Sequence, residues 1–217
     1  AISRQVGADV WVVDMGIIPQ LDVSNKQGAD RLIVEKIGNG TANFTRGPAM
    51  SRQDAQKAIQ VGFEQASKLI ENGVDLLGTG DMGIGNTTPS AAIGVVLCRA
   101  SLDEMVGCGT GVDEAGLAHK RDIVRQAIEV NTPNPEDGLD VLAKVGGFEI
   151  GGIAGVMLAG AYHQRTLVVD GFISTAGALI AAALSPIVKD YCFAGHCSAE
   201  TGHRIMLKHM GLEPILD

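Results

Sequence analysis

Short apolar runs that end in polar, glycine-bearing turns alternate along this chain with longer segments whose apolar positions recur at helical spacing. The short runs predict strands at Val10–Val13, Leu32–Val34, Val74–Leu77, Thr166–Val169 and Tyr191–Ala194. The longer segments predict helices over Ser51–Asn72, Pro89–Arg99, Val112–Val130, Glu136–Lys144, Phe148–His163, Phe172–Leu184 and Ser198–Met210. Ser51 with Asp54 resembles a capping box, and Gly73 supplies a stop. Strands that alternate with helices imply βαβ units on a parallel sheet, hence an α/β fold. Ligands of such sheets bind beyond the carboxyl ends of the strands. Asp14, Asp81, Asp170 and His196 all stand at predicted strand exits and could line one cleft.

The most specific stretch is Leu76-Leu-Gly-Thr-Gly-Asp-Met-Gly-Ile-Gly-Asn-Thr-Thr-Pro89. An apolar strand leads into a glycine loop, and Asn or Thr before Pro opens an apolar helix. Such a helix start offers N–H donors and a positive dipole end to a phosphate or carboxylate. Gly78-x-Gly80-x-x-Gly83 also matches the dinucleotide fingerprint formally, with Asp103 downstream. The predicted helix begins too late after Gly83 for that motif, so an NAD-dependent oxidoreductase is the weaker reading.

Composition narrows the classes. Of 217 residues, 46% are hydrophobic and 19% charged, which excludes a disordered chain. A net charge of −8 and 4% aromatics argue against nucleic acid and an anionic membrane as partners. Cys98, Cys108, Cys192 and Cys197 form no Cys-x-x-Cys pair, so free thiols in a reducing cytoplasm are expected rather than a metal site. No cofactor is expected. The opening without Met and the close on Pro214–Asp217 suggest part of a longer protein.

From residue chemistry alone, Asp81 is a catalytic carboxylate or a turn residue, and Lys120 a phosphate clamp or a solvated helix charge. Asp170 lines a cleft or caps the next helix, and His196 is a base or a loop hydrogen-bonder. Ser198 reads as a helix cap, and Glu149 as a carboxylate that suits a helix dipole.

The blocks Gly80-Asp-Met-Gly-Ile-Gly-Asn-Thr-Thr-Pro-Ser90, Gly146-Gly-Phe-Glu-Ile150, Val169-Asp-Gly-Phe-Ile-Ser174 and His196-Cys-Ser-Ala-Glu200 resemble the nicotinate-nucleotide–dimethylbenzimidazole phosphoribosyltransferase family. The lesser blocks Ala8-Asp-Val and Asn43-Phe-Thr fit too, in the family's order and across nearly the whole chain. The resemblance implies a Rossmann-like, three-layer domain over 1–217 without the family's small helical domain, in a homodimer. It implies transfer of phosphoribose from nicotinate mononucleotide to dimethylbenzimidazole. It places Asp81 and Lys120 in the active site, and Gly83, Gly85, Asn86, Thr87, Thr88, Asp170 and Ser198 against the nucleotide.

One departure stands out. The family's general base is a Glu in a Gly-Glu-Gly-type motif near the C-terminus. After residue 149 this sequence has only Glu200 and Glu213, neither in that context. The expectation is a chain that is inactive or nearly so by itself. The alternative is a non-catalytic nucleotide-binding domain that works with a partner.

Overall fold

A computed structural model describes residues 2–19, 31–107 and 113–216. After a short helix α1 (Ile2–Gln5), strands β1 (Val12–Asp14) and β2 (Leu32–Val34) form a two-stranded parallel sheet of their own. Four further strands, β3 (Leu76–Gly78), β4 (Thr166–Val169), β5 (Cys192–His196) and β6 (Pro214–Leu216), make a second parallel sheet in the order β3-β4-β5-β6. Its register sets Leu77 opposite Leu167, Val169 opposite Ala194 and His196 opposite Leu216.

The connections carry the helices: α2 (Arg52–Glu71), α3 (Thr87–Cys98), α4 (Leu102–Met105), α5 (Glu114–Asn131), α6 (Gly138–Val145), α7 (Phe148–Tyr162), α8 (Phe172–Leu184) and α9 (His203–Met210). The α/β class with parallel strands and flanking helices is the one expected. Four parallel strands laid down in sequential order, each linked by a right-handed crossover, put their crossover helices on one face. The strand pattern agrees. Leu77, Leu167, Val169, Cys192 and Ala194 are buried, whereas their alternates Leu76, Thr166, Phe193 and Ile215 are exposed. Of three layers, the described residues thus supply the sheet and the helical layer on one side.

The core lies among α2, α7 and α8. A Cβ on Gly62 would overlap the carbonyl of Gly152, and one on Gly155 would overlap the carbonyl of Ile59. Glycine at these positions lets the backbones of α2 and α7 touch. Ser51 caps α2 by accepting from Asp54 N–H at 3.0 Å, and its own hydroxyl donates to Asp54 Oδ2 at 2.7 Å.

The bounds of β2, β4 and α8 are those the pattern predicts. Others move. Helix α3 starts at Thr87, before Pro89, and α9 starts at His203 rather than Ser198. The predicted start of α5 at Val112 lies outside the described residues. Strand β6 and helix α4, with its Ser101–Glu104 capping box, are additions.

Candidate active site

The carboxyl ends of β3, β4 and β5 bring distant residues together. Asp81 follows β3. Its carboxylate oxygen Oδ2 accepts a hydrogen bond from Asn86 Nδ2, across the glycine turn. Asn86 is the residue before α3, but its side chain caps nothing. The capping role expected of it is therefore replaced by one toward Asp81. Its backbone carbonyl accepts from the Ser90 hydroxyl at 2.8 Å, which anchors it to the helix. Gly83 makes room for this arrangement: a Cβ there would lie 2.8 Å from Asn86 Nδ2. Gly85 takes φ +80°, a left-handed conformation natural to glycine. Met82 and Ile84 between these positions project fully into solvent.

Asp81 interacts with two more carboxylates. Burial pushes its carboxyl above the usual range, the Asn86 hydrogen bond pulls it back, and neighbouring Asp170 pushes it up again. Asp170 follows β4, and its Oδ1 lies 3.6 Å from His196 Nδ1 on β5. Glu149 occupies the first turn of α7. Burial raises its carboxyl, its own backbone N–H lowers it, and the charge of Asp81 raises it further. Glu149, read from sequence as structural, thus joins Asp81 and Asp170 in one electrostatic group. The Gly146-Gly-Phe-Glu block marks a carboxylate at a helix start, but no sequence signal joins it to Asp81.

Positive charge enters from α5. Lys120 Nζ donates to Thr87 Oγ1 at 3.0 Å and to Gly107 O at 3.1 Å. The side chain therefore reaches across to the first residue of α3, and the solvated-charge reading of Lys120 fails. Thr88 N–H closes the turn onto Gly85 O at 3.2 Å.

Ser198 sits in the β5 exit loop. It is not the cap of α9, whose N-cap is Gly202. Its hydroxyl is buried and has no hydrogen-bond partner among the described residues, and its backbone N–H donates to His203 Nδ1 at 2.9 Å. Asp14 leaves the expected set: it ends a strand of the other sheet, and its buried carboxylate is bonded to its own turn. It is buried, accepts from Gly16 and Ile17 N–H at 3.1 and 2.9 Å, and lies 3.5 Å from Lys36 Nζ. That pattern describes a buried turn clamp.

The dinucleotide reading loses its geometry. Gly83 lies in a loop ahead of Thr87 rather than inside the helix, and Asp103 is an exposed partner of Arg121 at 3.3 Å. Among the described residues, no group of three or more His, Cys, Asp or Glu side chains could hold a metal ion. Among the same residues, no helix is long and apolar enough to cross a membrane.

A family model described as phosphoribosyltransferase matches residues 1–217. The chain belongs to the nicotinate-nucleotide–dimethylbenzimidazole phosphoribosyltransferase family. It is 54% identical to the protein of that name from Desulforudis audaxviator over 215 residues, 99% of this chain and 60% of that one. It is 51% identical to the one from Geotalea uraniireducens over 216 residues, 100% of this chain and 60% of the other. The crystal structure of the family member from Thermus thermophilus superposes with a TM-score of 0.90 at 40% identity. That match covers 99% of this chain and 62% of the solved one. The chain thus spans about 60% of the length of these family members.

Proposed function

We propose that these residues form the phosphoribosyl site of an enzyme that moves phosphoribose from nicotinate mononucleotide to dimethylbenzimidazole. The products are alpha-ribazole phosphate and nicotinate. The observation that carries this reading is that Asp81 and Asp170 act on each other's charge at the strand exits while Lys120 reaches Thr87 at the start of α3, in a chain of this family. The nicotinate ring carries a positive charge while bonded to the sugar, so its departure needs little acid help. The azole nitrogen attacks the anomeric carbon as a carboxylate takes the proton of the other ring nitrogen. Attack from the face opposite the leaving ring inverts that carbon. Holding the two rings in line supplies much of the remaining rate.

In this reading Lys120 faces the phosphoribosyl charge. The turn from Gly83 to Thr88 cradles the nucleotide, and Asp170 and Ser198 line the cleft. Asp81, its carboxyl raised by burial, supplies the acidic group of the glycine loop. The family's C-terminal general-base Glu has no counterpart in this sequence. By themselves these 217 residues are expected to hold the nucleotide and to turn it over slowly or not at all. The working enzyme is a cytoplasmic homodimer.

Calorimetric titration with nicotinate mononucleotide tests this. Binding is expected, and Lys120→Ala should weaken it about tenfold or more, near 1.4 kcal/mol. A folded chain that binds no mononucleotide, or binds it equally after the substitution, would sink the proposal. Tight binding of NAD alone would restore the oxidoreductase.

A further inference from the structure

His203 is fully buried at the start of α9, and both its ring nitrogens are committed. Ser198 N–H donates to Nδ1 at 2.9 Å, so Nδ1 carries no proton. On the other side Nε2 lies 2.8 Å from Thr175 Oγ1, whose own proton goes to Gly171 O at 2.8 Å. The hydroxyl can then only accept from the ring, so Nε2 carries the proton. Both ends require the same neutral tautomer. Burial favours it too, pushing the imidazole down to about 4. Neighbouring His196 contributes to that lowering and Asp170 opposes it.

This chain of bonds joins three pieces of the rim: the β5 exit loop, the start of α9 and the first turn of α8. Ser198 is held at one end and Gly171 at the other. A Cβ on Gly171 would lie 3.8 Å from Ser198 Cβ and 3.7 Å from the His196 ring, so the two loops are in contact there. Asp170, which precedes Gly171, has its Oδ1 3.6 Å from His196 Nδ1. The pairing of β4 with β5 sets the two exits side by side, and the His203 bonds add a tie between the Ser198 loop and the first turn of α8.

We infer that His203 is a positioning residue: its neutral imidazole bolts the Ser198 loop to the first turn of α8 and so fixes Asp170 and Ser198 relative to each other. It touches no substrate atom in this role. The ligand-binding arm of the test rests on the function proposed above, and the structural arms do not.

The first arm is nitrogen-15 NMR of the imidazole at neutral pH, which should show a protonated Nε2 and an unprotonated Nδ1. An Nδ1–H tautomer, or a charged ring, would overturn the inference. The second arm is amide exchange at Ser198. In His203→Leu it should accelerate about tenfold or more, since this part-buried N–H is left without its acceptor. Exchange at Leu167 and Ile180 in the core should hold. His203→Asn, whose side-chain oxygen takes the place of Nδ1, should restore most of the Ser198 protection. Unchanged exchange in a folded His203→Leu chain would overturn the inference.

Should His203→Leu fail to fold, Thr175→Val removes the second bond alone and should give the same change, smaller. No change there would count against the bolt. The third arm is affinity for nicotinate mononucleotide, expected to fall about tenfold in His203→Leu and to recover partly in His203→Asn. Affinity unchanged while Ser198 exchange accelerates would reject the positioning role. If the unmodified chain binds no mononucleotide, the functional proposal fails, while the tautomer and exchange arms still decide the bolt.

Discussion

The α2–α7–α8 core and the strand-exit rim use similar residue types to opposite ends. Glycines in the core, Gly62 and Gly155, bring helix backbones into contact. At the rim, Gly83 clears space for the Asn86 amide, and Gly85 turns the chain with a positive φ. Polar groups differ in the same way. Asn131, on the core side of α5, donates to Phe44 O at 2.6 Å and Ala127 O at 2.8 Å. The rim holds Asp81 and Glu149 where burial and mutual repulsion disfavour their charge. Stability resides in the first region. The second spends some of it to keep carboxylates at the strand ends.

Breaking the core should cost most and leave the rim chemistry alone. Gly62→Ala places a methyl against the Gly152 carbonyl, a backbone atom that cannot rotate away. The expected loss is about 3 kcal/mol, and the thermal midpoint should fall by about 10 °C. Below that midpoint, mononucleotide affinity should match the parent's within about twofold, a few tenths of a kcal/mol. A midpoint unchanged in scanning calorimetry would mean that α2 and α7 do not meet at Gly62.

Breaking the rim should do the reverse. Asp81 has its folded pKa raised above the unfolded value. Such a carboxyl favours folding below its unfolded pKa, and this advantage is lost as pH rises through the folded pKa. At neutral pH the ionised group is therefore a liability. Asp81→Asn should melt slightly higher than the parent at pH 7, and the gain should vanish below about pH 4, where both forms are neutral. If Asp81 is the catalytic carboxylate, activity in a chain that also carries the C-terminal Glu should fall by two orders of magnitude or more, roughly the share of a general acid–base group. An Asn variant less stable than the parent at neutral pH would remove the claim that the rim stores unfavourable charge.

These two regions also differ in how far the sequence disclosed them. Helix α8 and strand β4 match their predicted bounds because each is an apolar run bracketed by Asp170-Gly171 and polar residues. Asp81, Lys120, Asp170 and Ser198 were visible as candidates, Asp81 and Asp170 because they follow a strand, Lys120 and Ser198 through the family resemblance. Their partners were not. Nothing local ties Asn86 to Asp81 instead of to its own helix. The start of α9 moves from Ser198 to His203 because the Ser198 N–H is claimed by the His203 ring, a local side-chain bond that apolar periodicity does not reveal. Glu149 lies far from Asp81 in sequence, and Asp14 reads like the other strand exits until the pairing assigns it to another sheet. Strand β6 was missed because Pro214-Ile-Leu216 is too short to show alternation and is defined by its pairing with β5.

The smallest effect should come from the side of the sheet that belongs to neither region. Phe193, Leu76 and Ile215 lie exposed on the face away from the helices. An all-parallel sheet is normally covered on both faces, and a contiguous apolar patch promotes association. Phe193→Ser should change the stability of the dilute chain by no more than about 0.5 kcal/mol and leave nucleotide affinity alone. It should lower the apparent mass measured by light scattering at high concentration. Loss of more than about 1 kcal/mol would show Phe193 packed into the fold, outside the usual range for an exposed position. A parent chain that stays monomeric at every concentration would show that an apolar sheet face is tolerated in water, and that burial alone separates the core from the rest of the molecule.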